Sequence, residues 1–419
     1  MKLSCTLIIL SLSIGLLTSQ PVWSQDIARN ETVANRARPE LDPSGVPIGG
    51  FRLYPQLALT FEHNSNIFAD GLSVRSDRIY VMSPEFEVRS DWNNHAIDMG
   101  AAAEISRFTD FDREDHSDLD VWANGRLDIS RFAFLTGSAR HSTRHEGRDS
   151  ADDVRGEERT RFDVDSIAVS YQLRPGARKF RALFEAQVVD LDFDDVQDAG
   201  STINNDDRDR RQVNGKLRIG YDLLPTNSFF FQASADSTEY DSQFDDAGFE
   251  RSSNGYELAI GSTLDYSGVT FGDVYVGYRS RSYDDQRYEK IDGLSFGAEV
   301  AWNLSRLTTV TISGSRTVEA TTIVDAAGIQ ATKFRLGVQH ELLRNLIISL
   351  AWTTGQEDYR GIDRKDDNDM TAFESRYLMN RRVELVLGYT HRRRDTTPDT
   401  IDGFAFSRDV YRATVEVHL

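Results

Sequence analysis

His141 and His145 stand four residues apart, the spacing at which a helix would offer both imidazoles to one metal ion. The segment reads as a strand, however, and there the same spacing puts the rings about 13 Å apart at roughly 3.3 Å per residue. They cannot share one ion directly. Ser142 points to the other face of that strand and gains no general base from His141. Asp190, Asp192 and Asp194 alternate as calcium-loop ligands do, but the glycine of the sharp turn is missing, so a solvated acidic rim is the reading. The single cysteine, Cys5, falls in the first 24 residues and leaves the rest without a thiol, disulfide framework or Cys-based zinc site. No catalytic residue, metal site or cofactor is expected, and the chain reads as a non-enzyme.

What remains is the chemistry of charges held in rows. Glu62, Glu104, Asp120, Arg126, Asp128, Lys216, Arg218, Glu257, Glu299, Arg335, Glu374, Arg376, Arg412 and Glu416 take the polar parity of segments that alternate apolar with polar. Glu87, Asp98, Glu185, Lys333 and Glu384 belong to the same set. Burying so many ions of both signs in a dry core would be prohibitive, so the face that carries them must be wet. Acid outnumbers base in this set by 12 to 7, which predicts a modest cation preference that grows as salt falls.

The elements that position these charges are strands. Leu119, Val121, Ala123, Leu127 and Ile129 share one parity, and Asp118, Asp120, Asn124, Arg126 and Asp128 the other. The same period of two runs through 256–265, 294–303, 346–353 and 411–419, and no helix fits it. Short turns are expected at Asn93-Asn94, Ser130-Arg131, Arg174-Pro175-Gly176, 224–227, Ser267-Gly268, 303–306, Arg344-Asn345 and 380–382. Longer, mostly acidic loops such as 146–159, 194–208, 283–288 and 359–369 alternate with them. Eight short turns and nine long loops join 18 strands of roughly 11 to 15 residues each, with sixteen as the second choice. Pro55 and Pro84 interrupt only the first two strands, so the first hairpin is the weakest part of this assignment.

Composition bounds the class. The chain has 419 residues with 48 Lys+Arg against 67 Asp+Glu, a balance that offers no basic face for nucleic acid. Hydrophobic residues are 39 %, and no apolar run past residue 24 is long enough for a membrane helix. A membrane β-barrel is not excluded, because its strands show lipid only every second residue. A β-propeller has a similar period, but it packs four short strands where this chain has two long ones. The reading is all-β: a transmembrane antiparallel up-and-down barrel with short periplasmic turns and longer outer loops. Aromatics support it in two bands: Trp92, Tyr171, Tyr221, Tyr266, Trp302 and Tyr377 near short turns, and Phe108, Phe193, Tyr240, Tyr283 and Tyr359 near long loops.

Residues 1–24 read as a cleaved signal peptide, with Lys2 ahead of an apolar core and cleavage after Ser24. Residues 25–50, which carry Pro39, Pro43 and Pro47, read as an extended, unpaired periplasmic segment, and 51–419 as the barrel. Arg38-Pro39, Asp42-Pro43, Gly45-Val46, Gly49-Gly50-Phe51, Leu53-Tyr54-Pro55, Leu57 and Asn64-Ser65-Asn66-Ile67-Phe68 together resemble the opening of the putative β-barrel porin type 2 family. The resemblance implies an outer-membrane protein of a Gram-negative bacterium, a porin-like channel with a link to capsular or exopolysaccharide secretion. The other expectation is a non-conducting scaffold or anchor for a surface-polymer machine. Expected partners are outer-membrane lipid, the barrel-assembly machinery, polysaccharide or small solutes, and export-machine proteins.

Overall fold

The computed structural model describes residues 31–174, 179–224, 226–266, 268–398 and 405–419. The expected signal peptide lies outside the described residues. Strand β1 (Val46–Ile48) folds back on β2 (Phe51–Asn64). Then follow β3 (Asp77–Ser90), β4 (Ala96–Phe108), β5 (His116–Ser130), β6 (Ala133–His145), β7 (Arg161–Leu173) and β8 (Phe180–Phe193). A small hairpin of β9 (Val196–Asp198) and β10 (Ser201–Ile203) sits in the next loop. The wall resumes with β11 (Arg210–Leu224), β12 (Asn227–Tyr240), β13 (Ser253–Tyr266), β14 (Thr270–Tyr283), β15 (Ile291–Ser305) and β16 (Thr308–Glu319). It ends with β17 (Gly328–Leu343), β18 (Leu346–Arg360), β19 (Arg364–Leu378), β20 (Val383–Thr397) and β21 (Phe406–His418).

Each wall strand pairs antiparallel with its neighbours, and β2 closes on β21 from Gln56↔His418 to Asn64↔Val410. Without β1, the 19-stranded sheet is a ring of eighteen. Closure leaves no edge, which a strand surrounded by hydrocarbon requires, because no water is there to satisfy an open N–H or C=O. Among the described residues the expected alternation of short turns and long loops is present, with one correction; Pro175, Gly176, Pro225 and Ser267 of the expected short turns lie outside them. Residues 359–369 are almost all strand, and Gly361, Ile362 and Asp363 alone connect β18 to β19. Acidic residues there suggested a loop, yet they continue the period of two. The first hairpin is intact: Pro55 pairs with Phe86 and Leu57 with Pro84. The β3–β4 ladder skips Ser83 and Pro84 and resumes in the same register, as expected where a donor is missing. The N-terminal segment also departs from an unpaired reading, since Val46, Pro47 and Ile48 pair with Leu53, Arg52 and Phe51.

The apolar parity faces outward and is exposed along the wall, as at Leu59, Val121, Ile167, Leu217, Leu258, Ile260, Leu350 and Val415. Trp92, Tyr171, Tyr221, Tyr266, Trp302 and Tyr377 form an exposed girdle on the short-turn side. The second expected band is a correction. Phe108, Phe193 and Tyr359 are buried on the other parity, and under the outer loops Phe108 packs with Ile67 and Ile79, and Phe193 with Phe162 and Leu191. Position along a strand did not reveal which face a ring takes. Exposed outward rings nearer the long loops are instead Tyr80, Tyr256, Tyr278 and Tyr411. Leu258→Arg, on the lipid face, should destabilise the barrel by about 2–4 kcal/mol in a lipid refolding titration. Ser234→Arg, whose strand neighbours are Lys216 and Glu257 on the opposite face, should stay within about 1 kcal/mol of wild type.

Candidate functional site

All the predicted charges lie on the face opposite the apolar belt, and most are joined across strands. Arg412 Nε meets Glu62 at 2.5 Å, Arg376 Nη1 meets Glu384 at 2.8 Å and Nε meets Glu374 at 3.5 Å. Arg126 meets Asp128 at 2.8 Å, and Lys216 is paired with Glu185. Arg218 reaches Asp273 at 2.5 Å, and His418 reaches Glu416 at 3.2 Å. Asp120 takes Arg140 and Arg144, Glu257 takes Arg279 at 2.9 Å, and Arg89 is paired with Glu87 and lies 3.7 Å from Asp98. Glu104, Glu299, Lys333 and Arg335 make no ion pair within 4 Å among the described residues. The 12 to 7 count covers only part of this face: Arg89, Arg140, Arg144, Arg279, Arg392, Arg394 and Arg408 lie on it as well, and so do Asp118, Asp273 and Asp366. Extending the parity of Glu384 along β20 finds Arg392 and Arg394, and that of Arg412 and Glu416 along β21 finds Arg408.

His141 and His145 turn to different carboxylates, Asp165 at 2.8 Å and Asp118 at 2.7 Å. Glu384, Glu416 and His418 bring ligand atoms within 4.8 Å of one another, but Glu384 is engaged by Arg376. Asp190 pairs with Arg211 and Asp194 with Arg161, so the acidic rim is partly neutralised.

The connection between β6 and β7, residues 146–160, crosses the outer mouth as a strap. Its base is closed by Glu146 N donating to Thr160 O at 2.8 Å, and the buried Glu146 carboxylate accepts from both terminal nitrogens of Arg208 at 2.9 and 3.0 Å. Arg148 donates to Glu114 at 2.7 Å, and Arg159 to the other oxygen of that carboxylate at 2.8 Å. Asp149 reaches β20 and β21, where Arg392 and Arg408 hold its Oδ2 and Arg394 donates to its carbonyl at 2.9 Å. Asp152 reaches about halfway round the ring to the β16–β17 loop, accepting from Thr321 Oγ1 at 2.7 Å and Thr322 N at 3.1 Å. Arg251 fixes that loop by donating to the carbonyls of Thr321, Thr322, Ile323 and Ala326. No local sequence signal announces this strap; 146–159 reads only as one of several polar loops.

The opposite end is partly covered by the N-terminal segment. Val33 N donates to Thr309 Oγ1 at 3.0 Å, Ala34 N to Gln339 Oε1 at 3.2 Å, and buried Arg38 pairs with Glu341 at 2.9 Å. Arg344 reaches Glu40 at 2.6 Å, and Arg381 reaches Pro39 O at 2.8 Å. These partners line up along the short-turn rim from β16 to β19.

Asp153 of the strap and Glu114, the β4–β5 carboxyl that Arg148 and Arg159 hold, titrate in opposite senses. Burial pushes Asp153 up to about 6 from 3.8, with Arg148 opposing. Burial would also raise Glu114, but Arg148 and Arg159 outweigh it and hold that carboxyl below its ordinary 4.5. Docking therefore strengthens as pH falls from about 6 towards 4 and Asp153 takes up its proton, and the Glu114 contribution is lost as pH falls through its lowered value. Hydrogen exchange of 146–160, corrected for intrinsic rate, should be slowest near about pH 4. Asp153→Asn should flatten the change between pH 4 and 6.

A closed ring of eighteen antiparallel strands with an apolar outer belt and a charged inner wall is an outer-membrane β-barrel of porin type. Residues 38–419 match the family described as "Putative beta-barrel porin 2", and the chain belongs to that family. No curated protein matches by sequence. Among solved structures, the chain is similar to OpdO of Pseudomonas aeruginosa, with 14% identity over 89% of this chain and 98% of that one at a TM-score of 0.45. It is also similar to OccK2 (OpdF) of the same organism, with 10% identity over 88% and 97% at 0.47. A mutant of the ferric enterobactin receptor PfeA, also from P. aeruginosa, gives 8% over 88% and 80% at 0.48.

Proposed function

We propose that the protein is a water-filled outer-membrane channel for polar solutes. The observation that carries this reading is the inner wall itself, where Glu104, Glu299, Lys333 and Arg335 hold charge without an ion-pair partner among the described residues. Water must hydrate them. At about 16 to 18 strands a barrel is wide enough for an aqueous lumen. Strap and N-terminal segment narrow the two ends, so the conducting path runs beside them. Passage of a secreted capsular or exopolysaccharide chain belongs to this proposal through the family resemblance, as do insertion by the barrel-assembly machinery and contact with export-machine proteins. The cover at both ends favours the second reading, a non-conducting scaffold for a surface-polymer machine. Planar-bilayer recording of the purified protein tests the two. Stepwise current is expected, and its reproducible absence removes the channel. Loss of secreted polymer on gene deletion tests the polysaccharide role separately.

A further inference from the structure

Three guanidiniums converge at one place on the inner wall near the outer mouth. Arg392 and Arg408 are direct cross-strand partners, and Arg394 follows two residues along on the same face of β20. The guanidinium carbons of Arg392, Arg394 and Arg408 lie 5.7, 5.3 and 5.7 Å from the ring centroid of buried Phe406, which gives them a common floor. All three side chains are largely removed from solvent. Like charges set opposite one another on a sheet are unfavourable, and more so when desolvated, so this cluster calls for an anion.

The wall does not supply enough of one. Among the described residues, the carboxylates within 4 Å of the three guanidiniums are Asp149 and Asp366. Asp366 lies 3.8 Å from Arg394 and is already held by Arg364 through Nε at 3.1 Å and Nη2 at 2.6 Å. Asp149 comes from the strap, 243 residues away from Arg392 in the chain. It presents a carboxylate oxygen to Arg392 and Arg408 and a carbonyl oxygen to Arg394, and it leaves Arg408 Nε buried without an acceptor. One strap residue thus stands where a carboxylate-bearing ligand with a neighbouring polar oxygen would sit.

We propose that Arg392, Arg394 and Arg408 form a binding site for carboxylate-bearing solutes, acidic sugars included, and that such a solute displaces Asp149 and frees the strap. Binding stands on the geometry of the cluster, whereas the gating consequence rests on the channel reading. Planar Arg forks suit a carboxylate better than a spherical ion, which sets this class apart from chloride.

The test uses the detergent-solubilised full barrel with glucuronate as probe and glucose as its neutral counterpart, at fixed ionic strength in sodium chloride. Glucuronate should bind and raise hydrogen exchange of residues 146–160, and glucose should do neither. Asp149→Asn, which removes the competing carboxylate, should tighten glucuronate binding by at least about tenfold if the strap occupies the site most of the time. Arg394→Gln and Arg408→Gln should each weaken it by about tenfold, with heat-modifiable migration retained as proof of folding. Equal glucuronate affinity in wild type, Asp149→Asn and the two arginine variants overturns the site. A barrel that conducts but does not bind glucuronate also overturns it and leaves the channel reading standing. One that binds but never conducts overturns the gating half alone.

Discussion

Asp149→Asn combined with Asp152→Asn is expected to raise single-channel conductance several-fold and to make the current noisier. Each change removes the charge through which the strap is held to a distant part of the wall, at Arg392 and Arg408 in one case and at Thr321 and Thr322 in the other. Breaking a buried ion pair from one side costs about 3–5 kcal/mol, because the guanidiniums left behind lose their counter-ion. At about 1.4 kcal/mol per tenfold, the docked strap loses roughly a hundred- to thousandfold in population relative to the undocked one. The base of the strap, Glu146 with Arg208, is untouched, so the barrel should keep its heat-modifiable migration. Bilayer recordings of the double variant next to wild type decide the matter. Identical conductance in both would mean that 146–160 does not narrow the path.

Gly272→Val is expected to abolish the folded barrel. Gly272 has φ of +146°, and a Cβ there would stand 1.9 Å from the carbonyl oxygen of Glu299 and 2.8 Å from Val300 Cα. Both obstacles are backbone of β15, and Gly272 is paired on its other side with Leu264 of β13, so neither neighbour can retreat without breaking a ladder. The combined strain should exceed about 4 kcal/mol, a large share of the stability of any domain. Gly125→Val is the matched control, since a Cβ at Gly125 meets nothing within 4 Å. The expected result is loss of the fast-migrating, heat-modifiable form for Gly272→Val and its retention for Gly125→Val. Folding of both variants alike would show that β14 and β15 adjust here.

Much of the architecture was legible from residues alone, and the reason is local. A strand has a period of two, so Leu119, Val121 and Leu127 against Asp120, Arg126 and Asp128 state which positions share a face without any knowledge of what lies beyond. Turn residues such as Arg344-Asn345 mark where the chain reverses, and counting the reversals gives the eighteen strands. Parity also separated Glu62, Glu257 and Glu416 from the lipid-facing belt. The acidic run near 366–369 was misread because charge was taken as a loop signal where the alternation simply continued. Phe108, Phe193 and Tyr359 were misplaced because nearness to a strand end was used where parity was needed.

Which charges meet was left to the tertiary structure. Glu62 finds Arg412 only because β2 closes on β21 across nearly the whole chain. Asp149 finds Arg392 and Arg408 only because the ring brings β20 and β21 within reach of a strap that leaves the wall after β6. The amino-acid sequence by itself determined the strand period, the lipid face and the closed antiparallel class, since each follows from neighbours a few residues apart. The strap, the cover of the short-turn end and the three-arginine cluster depend on curvature and closure, and these bring together side chains between which no local pattern runs.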